Sequence, residues 1–191
     1  MSTMSEWVWR TFPLTMTTGE YADLNGLRAY LELVEWVAGP AGRVLEIGVG
    51  SGLGLAWWRH WGLTVCGVER DLDVIAAART RLHELGLTPE DVPIIAGDAM
   101  GPLDAHQADV ICHEGLLEHF DRPERLAMLR HHLAAARWVV VDVPTVEDIP
   151  PGGGFGDERL LTAAQWREEW GQFITEDFYR RKTAIGVALR A

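Results

Sequence analysis

Glycines occupy alternate positions in a short segment that contains a glutamate and follows an apolar run. The segment reads VLEIGVGSGLG, with Glu46 followed by Gly48, Gly50, Gly52 and Gly54. Because glycine has no side chain, a ligand can touch the main chain there, and free N–H groups at a helix start favour polar or anionic groups. The G-x-G-x-G spacing departs from the dinucleotide fingerprint, since leucine stands where that fingerprint has its third glycine. Alone, this loop predicts only that a ligand lies against the backbone.

Acidic residues at the ends of further apolar runs indicate what such a ligand contains. Glu69 closes the run TVCGVE, where a carboxylate can accept hydrogen bonds from both hydroxyls of a ribose. Asp98 follows PIIAG, and the pair His113 and Glu114 follows ADVIC. Ligands of open α/β folds bind at the carboxyl ends of the strands, so these residues are candidates for one site.

Helical and strand-like patterns alternate along the chain, which predicts an α/β domain with a mostly parallel sheet. Thr162 and Gln165 have the spacing of a capping box at the start of the last predicted helix. The predicted strands are 43–47, 64–69, 93–97, 108–113, 138–144 and a pair within 172–191, and the predicted helices are 21–38, 52–61, 73–85, 122–133 and 162–170.

Length and charge restrict the partners of this domain. A chain of 191 residues is long enough for one sizeable core and short for two. The net charge of −11 disfavours nucleic acid and anionic membranes, which need a cationic protein face, so we expect a small-molecule substrate. The first ten residues have neither a basic leader nor an apolar signal core, and we expect a cytoplasmic protein. Cys66 and Cys112 lie in apolar runs, and we interpret both as packing residues.

Taken together, these segments resemble the class I S-adenosylmethionine-dependent methyltransferases. The similar segments are ExGxGxG at 46–52, Glu69, GDAM at 97–100 and ADVICHEGLLEHF at 108–120, and FGDERLLTAAQW at 155–166 looks like a segment of small-molecule members. The resemblance implies a Rossmann-like α/β fold with a mostly parallel seven-stranded sheet of order 3-2-1-4-5-7-6 and helices on both faces. It also implies one methyltransferase domain over 1–191, with a helical or lid segment at 1–40 and a cofactor-binding core at 41–191.

The resemblance implies S-adenosyl-L-methionine as the cofactor and assigns its amino-acid end to the glycine loop. Gly48, Gly50 and Gly52 would form the backbone cradle. Glu46 would support that loop and reach the methionyl ammonium, directly or through water.

The resemblance implies that the nucleoside end of the cofactor lies at the ends of the next two strands. Glu69 would hold the ribose, and Arg70 would lie beside the adenine edge. Asp98 would accept a hydrogen bond from the adenine amine, with Ala99 and Met100 against the ring.

The end of the fourth strand is implied to lie near the sulfonium and the substrate. In-line methyl transfer depends mostly on alignment and needs a base only when the nucleophile must lose a proton. His113 is the first candidate base, because an imidazole with a pKa of about 6.5 accepts a proton near neutrality; a loop-anchoring role is the alternative. Glu114 is the second candidate base, or a partner for a cationic substrate. No metal site is predicted: some quinone-pathway O-methyltransferases have a metal-binding acid at the position of Gly115, but here the acid is one residue earlier, and a metal role for Glu114 with Glu118 and His119 is an unsupported alternative.

Substrate identity is not specified by these motifs. The predicted covers are the N-terminal segment and the loop 144–160, and the aromatic residues Trp7, Trp9, Phe12 and Tyr21 suit either a flat acceptor or packing on the sheet edge. The adjacent histidines His131 and His132 are predicted to be solvated.

The sequence thus predicts methyl transfer to the oxygen or nitrogen of a small metabolite or natural-product intermediate by a monomer or homodimer. The alternatives are another reaction on this fold, such as a cyclisation or elimination, and a non-catalytic partner subunit.

Overall fold

Helices and strands alternate along the chain in the computed structural model, which describes residues 16–23, 27–103, 107–147, 157–171, 173–180 and 184–190. The strands are β1 (Arg43–Ile47), β2 (Thr64–Glu69), β3 (Ile94–Ala96), β4 (Val110–Glu114), β5 (Trp138–Pro144), β6 (Ile174–Arg180) and β7 (Ala184–Arg190). The helices are α1 (Thr18–Asp23), α2 (Arg28–Ala38), α3 (Leu53–His60), α4 (Leu72–Glu84), α5 (Arg122–Ala135) and α6 (Ala163–Trp170), and a short 3-10 helix spans Leu117–His119.

The strands form one seven-stranded sheet in the order β3-β2-β1-β4-β5-β7-β6. Strands β1 to β5 run parallel to one another, and β7 is antiparallel to both β5 and β6. This order confirms the predicted class I methyltransferase fold. The central strands are apolar on both faces because helices cover both sides of a parallel sheet, as in β5, where six of the seven residues are buried.

Two apolar cores, one on each face, hold the helices against the sheet. On one face α2, α3 and α4 pack against the sheet, with Tyr30 and Trp58 fully buried. On the other face α5 and α6 pack against the sheet, with Trp166 and Trp170 buried. Since side chains alternate along a strand, each central strand contributes to both cores.

The first predicted helix is the element whose bounds differ most from the structure. One continuous helix was expected over 21–38, whereas the structure has α1 and α2, the second of which begins at Arg28. The sequence between them includes Asn-Gly, a pair that favours turns over helix. The segment 1–15, with three of the four aromatic residues predicted to cover the site, lies outside the described residues.

The later helices begin at side-chain caps. Asp121 and Glu124 form a capping box at the start of α5, and the predicted box of Thr162 and Gln165 is present at the start of α6. No helix among the described residues has both the length and the apolar character needed to cross a membrane.

Candidate functional site

A cavity of about 230 Å³ opens at the carboxyl ends of the parallel strands. Its walls come from the segments that follow β1, β2, β3 and β4, together with Tyr21 of α1. Most of the residues predicted to form a site line it, namely Glu46, Gly48, Gly50, Glu69, Arg70, Asp98, Ala99 and Glu114. The residues that line the cavity do not include Gly52, Met100 or His113.

The loop between β1 and α3 needs glycine for two different reasons. Gly48, Gly50 and Gly52 have φ angles of 77°, 47° and 77°, in the left-handed region where other residues are strained. Gly48 and Gly50 line the cavity. A Cβ on Gly52 would instead lie 3.3 Å from Cβ of Ala78 on α4, so helix packing also excludes a side chain at Gly52, and its place in the cradle stays a prediction.

Glu46 presents a buried carboxyl group to the cavity. The residue is 4% exposed, and its Oε2 has no hydrogen-bond partner among the described residues. Burial raises the pKa of Glu46 well above its usual value, and the charges of Glu114 and Glu69 raise it further. Gly54 makes room for this group, because a Cβ there would lie 2.8 Å from Oε1 of Glu46. A buried polar atom without a partner is rare in proteins, and this one belongs to a residue that lines the cavity.

Glu69 lies at the end of β2, beside Arg70, and lines the cavity. Its Oε1 accepts a hydrogen bond of 3.0 Å from the backbone N–H of Asp71. Burial raises the pKa of Glu69, while backbone hydrogen bonds from Asp71 and Arg70 lower it. The carboxyl group is therefore held in place by the backbone that starts α4.

The loop after β3 is a tight turn. Oδ1 of Asp98 accepts from the N–H of Met100 at 2.8 Å, and the N–H of Gly101 donates to the carbonyl of Asp98 at 2.9 Å. Asp98 and Ala99 line the cavity, whereas Met100 is 47% exposed and does not. The predicted contact of Met100 with a ligand is therefore not supported by this geometry.

The two residues that end β4 point to opposite faces of the sheet. His113 is fully buried, and its ring centroid lies 5.5 Å from that of His132 on α5. Neither ring nitrogen of His113 has a partner among the described residues, and burial lowers its pKa well below the usual value. Because side chains alternate along a strand, His113 shares the side of Ile111, under α5, and the geometry does not support its predicted role as a base or cofactor contact.

Glu114 reaches the cavity instead. Its Oε2 accepts a hydrogen bond of 3.2 Å from the hydroxyl of Tyr21. His119 and Asp157 complete this end of the cavity, with Nδ1 of His119 3.3 Å from Oδ2 of Asp157, and Phe120 adds an aromatic wall. Asp157 is not among the residues predicted from the sequence to form the site, although it lies in the FGDERL segment that carried part of the resemblance.

Two polar residues near the site, one of them predicted to be solvated, are buried. His132 is fully buried, so the prediction that His131 and His132 are both solvated is wrong for His132. Glu118 is also buried, and a Cβ on Gly115 would lie 3.3 Å from its Oε1. Across the described ranges, no three His, Cys, Asp or Glu side chains are placed to hold a metal ion together.

Comparison with known proteins agrees with this geometry. A family model described as a methyltransferase domain matches residues 45–132, a range that contains Glu46, Glu69, Asp98 and Glu114. Residues 45–132 are thus similar to a methyltransferase domain. The matched range begins within β1 and ends within α5, so it holds most of the cavity wall.

The chain is also similar to two curated proteins. A ubiquinone biosynthesis O-methyltransferase of Azoarcus sp. (strain BH72) is 29% identical over 106 residues, covering 53% of this chain and 43% of that protein. A phosphatidylethanolamine N-methyltransferase of Cereibacter sphaeroides is 44% identical over 48 residues, covering 25% of this chain and 23% of that protein. The chain thus spans less than half the length of the curated relatives it matches.

A solved structure shows the same fold across most of the chain. The crystal structure of magnesium protoporphyrin IX methyltransferase from Synechocystis PCC 6803 with bound SAH aligns with a TM-score of 0.71 at 16% identity. The alignment covers 88% of this chain and 84% of that one. At this identity the likeness concerns the class I methyltransferase fold alone.

Proposed function

We propose that the methyltransferase domain binds S-adenosyl-L-methionine and transfers its methyl group to a small-molecule acceptor. The observation that carries the proposal is the buried carboxyl group of Glu46, a residue that lines the cavity beside the glycine loop and whose Oε2 has no partner among the described residues. An ammonium group is the donor that suits such an acceptor, because a charge-assisted hydrogen bond offsets the desolvation of the carboxylate.

The remaining groups of the cavity fit the rest of this cofactor. Gly48 and Gly50 offer backbone at which side chains are absent, for the amino-acid end. Glu69 would accept from the ribose hydroxyls, with Arg70 beside the adenine edge. Asp98 and Ala99, on the next loop, would take the adenine ring itself.

The acceptor is assigned to the end of the cavity formed by Tyr21, Glu114, His119, Phe120 and Asp157. The bound cofactor supplies a methyl group already activated by a positive sulfur, so the protein mainly has to align the acceptor. Glu114 accepts a hydrogen bond from the nucleophilic hydroxyl or amine and takes its proton where one must be lost. The hydroxyl of Tyr21 holds the Glu114 carboxylate in the cavity at 3.2 Å.

The charge of this end favours a neutral or cationic acceptor over an anionic one. Two carboxyl groups, those of Glu114 and Asp157, line it beside one histidine. The net charge of −11 of the whole chain supports a small molecule over a nucleic acid, because nucleic acid binding requires cationic contacts to phosphates. Similarity to one O- and one N-methyltransferase supports both kinds of nucleophile. The cytoplasmic location and the monomeric or homodimeric state stay predictions.

Calorimetry with S-adenosylmethionine and its demethylated product tests the binding step. We expect both to bind the wild type, with an affinity in the micromolar range that is typical of metabolite sites. A panel of hydroxyl and amine metabolites, scored by mass spectrometry for the gain of one methyl group, then tests the transfer. Glu114→Gln is the informative variant, because it should lower turnover while leaving cofactor affinity within a few-fold.

Each arm can contradict the proposal. Failure of the wild type to bind either form of the cofactor would refute the main function. Conversion of a substrate without the gain of a methyl group would favour the cyclisation or elimination alternative, and cofactor binding without any turnover would favour a non-catalytic role.

A further inference from the structure

Two adjacent histidines of α5 contact the loop that follows β3. Nε2 of His132 lies 3.0 Å from the carbonyl oxygen of Ala99, and Nε2 of His131 lies 2.8 Å from that of Gly101. A carbonyl oxygen only accepts hydrogen bonds, so each Nε2 must carry a proton and donate it. The two donors therefore join the loop to α5, which contributes no residue to the cavity wall among the described residues.

His132 is an unusual residue for its surroundings. It is fully buried, and its Nδ1 has no hydrogen-bond partner among the described residues. With Nε2 protonated, Nδ1 is a buried acceptor without a donor, which destabilises the fold relative to an apolar side chain of similar volume. Packing alone would be served better by leucine or phenylalanine. The group that only a polar side chain can supply here is the Nε2–H that meets Ala99.

The loop that these histidines hold is also the one that lines the nucleoside side of the cavity. Its first residue, Gly97, donates to the carbonyl of Glu69 at 2.9 Å, which fixes one end to β2. The turn from Asp98 to Gly101 is closed by its own hydrogen bonds. His132 then fixes the middle of the turn at Ala99, one residue from the Asp98 side chain that faces the cavity.

We propose that His132, assisted by His131, is a positioning residue that fixes the 97–101 loop before ligand binding and so sets the affinity for the adenine end of the cofactor. This inference rests on the proposed function. Without the His132 donor, the carbonyl of Ala99 must find water or remain unpaired, and the turn that carries Asp98 is held less firmly, by its own hydrogen bonds and by His131. The ligand then has to order the loop when it binds, which lowers its affinity.

The test compares His132→Leu, which removes the donor, with His132→Gln, whose amide N–H can still donate. His83→Leu, an exposed histidine on α4, is the matched control. Calorimetry with S-adenosylhomocysteine and with adenosine should show about tenfold weaker binding of both ligands to His132→Leu, the scale of one net hydrogen bond. We expect His132→Gln to recover most of this loss and His83→Leu to match the wild type.

Amide hydrogen exchange of the ligand-free protein supplies a readout independent of binding. The N–H groups of Met100 and Gly101 both donate within the turn, so their exchange should accelerate in His132→Leu and remain slow in His132→Gln. His131→Leu changes a less buried ring and provides a second test should His132→Leu fold poorly. We expect it to accelerate the amide hydrogen exchange of Gly101 and to lower the affinity for both ligands several-fold.

A double-mutant cycle distinguishes positioning from general disruption. If His132 acts by placing Asp98, then His132→Leu should have little further effect on affinity in an Asp98→Ala background. A tenfold effect that persists in that background would overturn the proposal, as would unchanged affinity and exchange in both His132→Leu and His131→Leu. Failure of the wild type to bind S-adenosylhomocysteine contradicts the proposed function instead, and the exchange experiment then still decides whether the histidines hold the loop.

Discussion

Replacing Glu46 with glutamine tests the buried end of the proposed cofactor site. The carboxyl group is 4% exposed, and burial together with the charges of Glu114 and Glu69 raises its pKa well above the usual value. In the free protein, Glu46 therefore retains its proton to a higher pH than an exposed glutamate does. A bound ammonium favours the carboxylate, so binding should lower this pKa and release a proton. Glutamine keeps the shape of the side chain and removes both the charge and the titration.

The size of the effect follows from a charge-assisted hydrogen bond in a buried site. Such a bond contributes about 1.5 to 3 kcal/mol, so Glu46→Gln should weaken binding by roughly 10- to 150-fold at a pH where Glu46 is ionised in the wild type. Below the free-state pKa of Glu46, protonation competes with binding, and wild-type affinity should fall by up to about tenfold per pH unit. The variant should lack this dependence, since its amide does not titrate.

Calorimetry with S-adenosylhomocysteine, repeated across mildly acidic to mildly alkaline pH, measures both quantities. Repeating each titration in two buffers of different ionisation enthalpy gives the number of protons released. Glu84→Gln, an exposed carboxyl group on α4, controls for the change in net charge. Equal affinity and equal proton release in wild type and Glu46→Gln would refute the assignment of Glu46 to the ammonium.

Three further predictions follow from other parts of the fold. Glu69→Ala should weaken S-adenosylhomocysteine binding by roughly 2 to 4 kcal/mol, because two charge-assisted hydrogen bonds to the ribose are lost, and calorimetry showing no change would remove Glu69 from the site. Gly50→Ala should impair binding more than stability, whereas Gly52→Ala, whose Cβ would meet Ala78 at 3.3 Å, should lower the melting temperature more than the affinity; the opposite pattern would contradict the two roles. Burial lowers the pKa of His132 from 6.5 to about 4, so the unfolded chain takes up the proton first and stability should fall as the pH drops through this range. Between about pH 7 and pH 5, the free energy of unfolding in urea should fall by about 2 kcal/mol more for the wild type than for His132→Phe. The titratable rings that face His132 are those of His113 and His131. Equal losses in the two proteins would contradict a buried, neutral His132.

The strands and the main acidic residues of the cavity could be predicted from the sequence because they depend on local patterns. Buried parallel strands are short apolar runs bounded by turn residues, and the predicted ranges 43–47, 64–69 and 138–144 match β1, β2 and β5. Acidic residues at the carboxyl ends of such runs must lie at one edge of the sheet, so the sequence alone leads us to expect Glu69 and Asp98 near each other. The order of the sheet came from the resemblance to a family rather than from these patterns.

The tertiary structure alone decided which side chains face the cavity. His113 and Glu114 are neighbours with similar prospects in the sequence, but strand alternation places them on opposite faces, and helices cover both faces of a parallel sheet. In the sequence, Gly52 and Gly54 cannot be distinguished from the glycines that line the cavity, because a glycine pattern indicates only that a side chain is excluded. What excludes it, Ala78 in one case and the Glu46 carboxyl in the other, comes from elsewhere in the fold. His132 appeared to be a surface residue for the same reason, since its partner, the carbonyl of Ala99, is 33 positions away in the chain and becomes its neighbour only when α5 packs beneath the loop after β3.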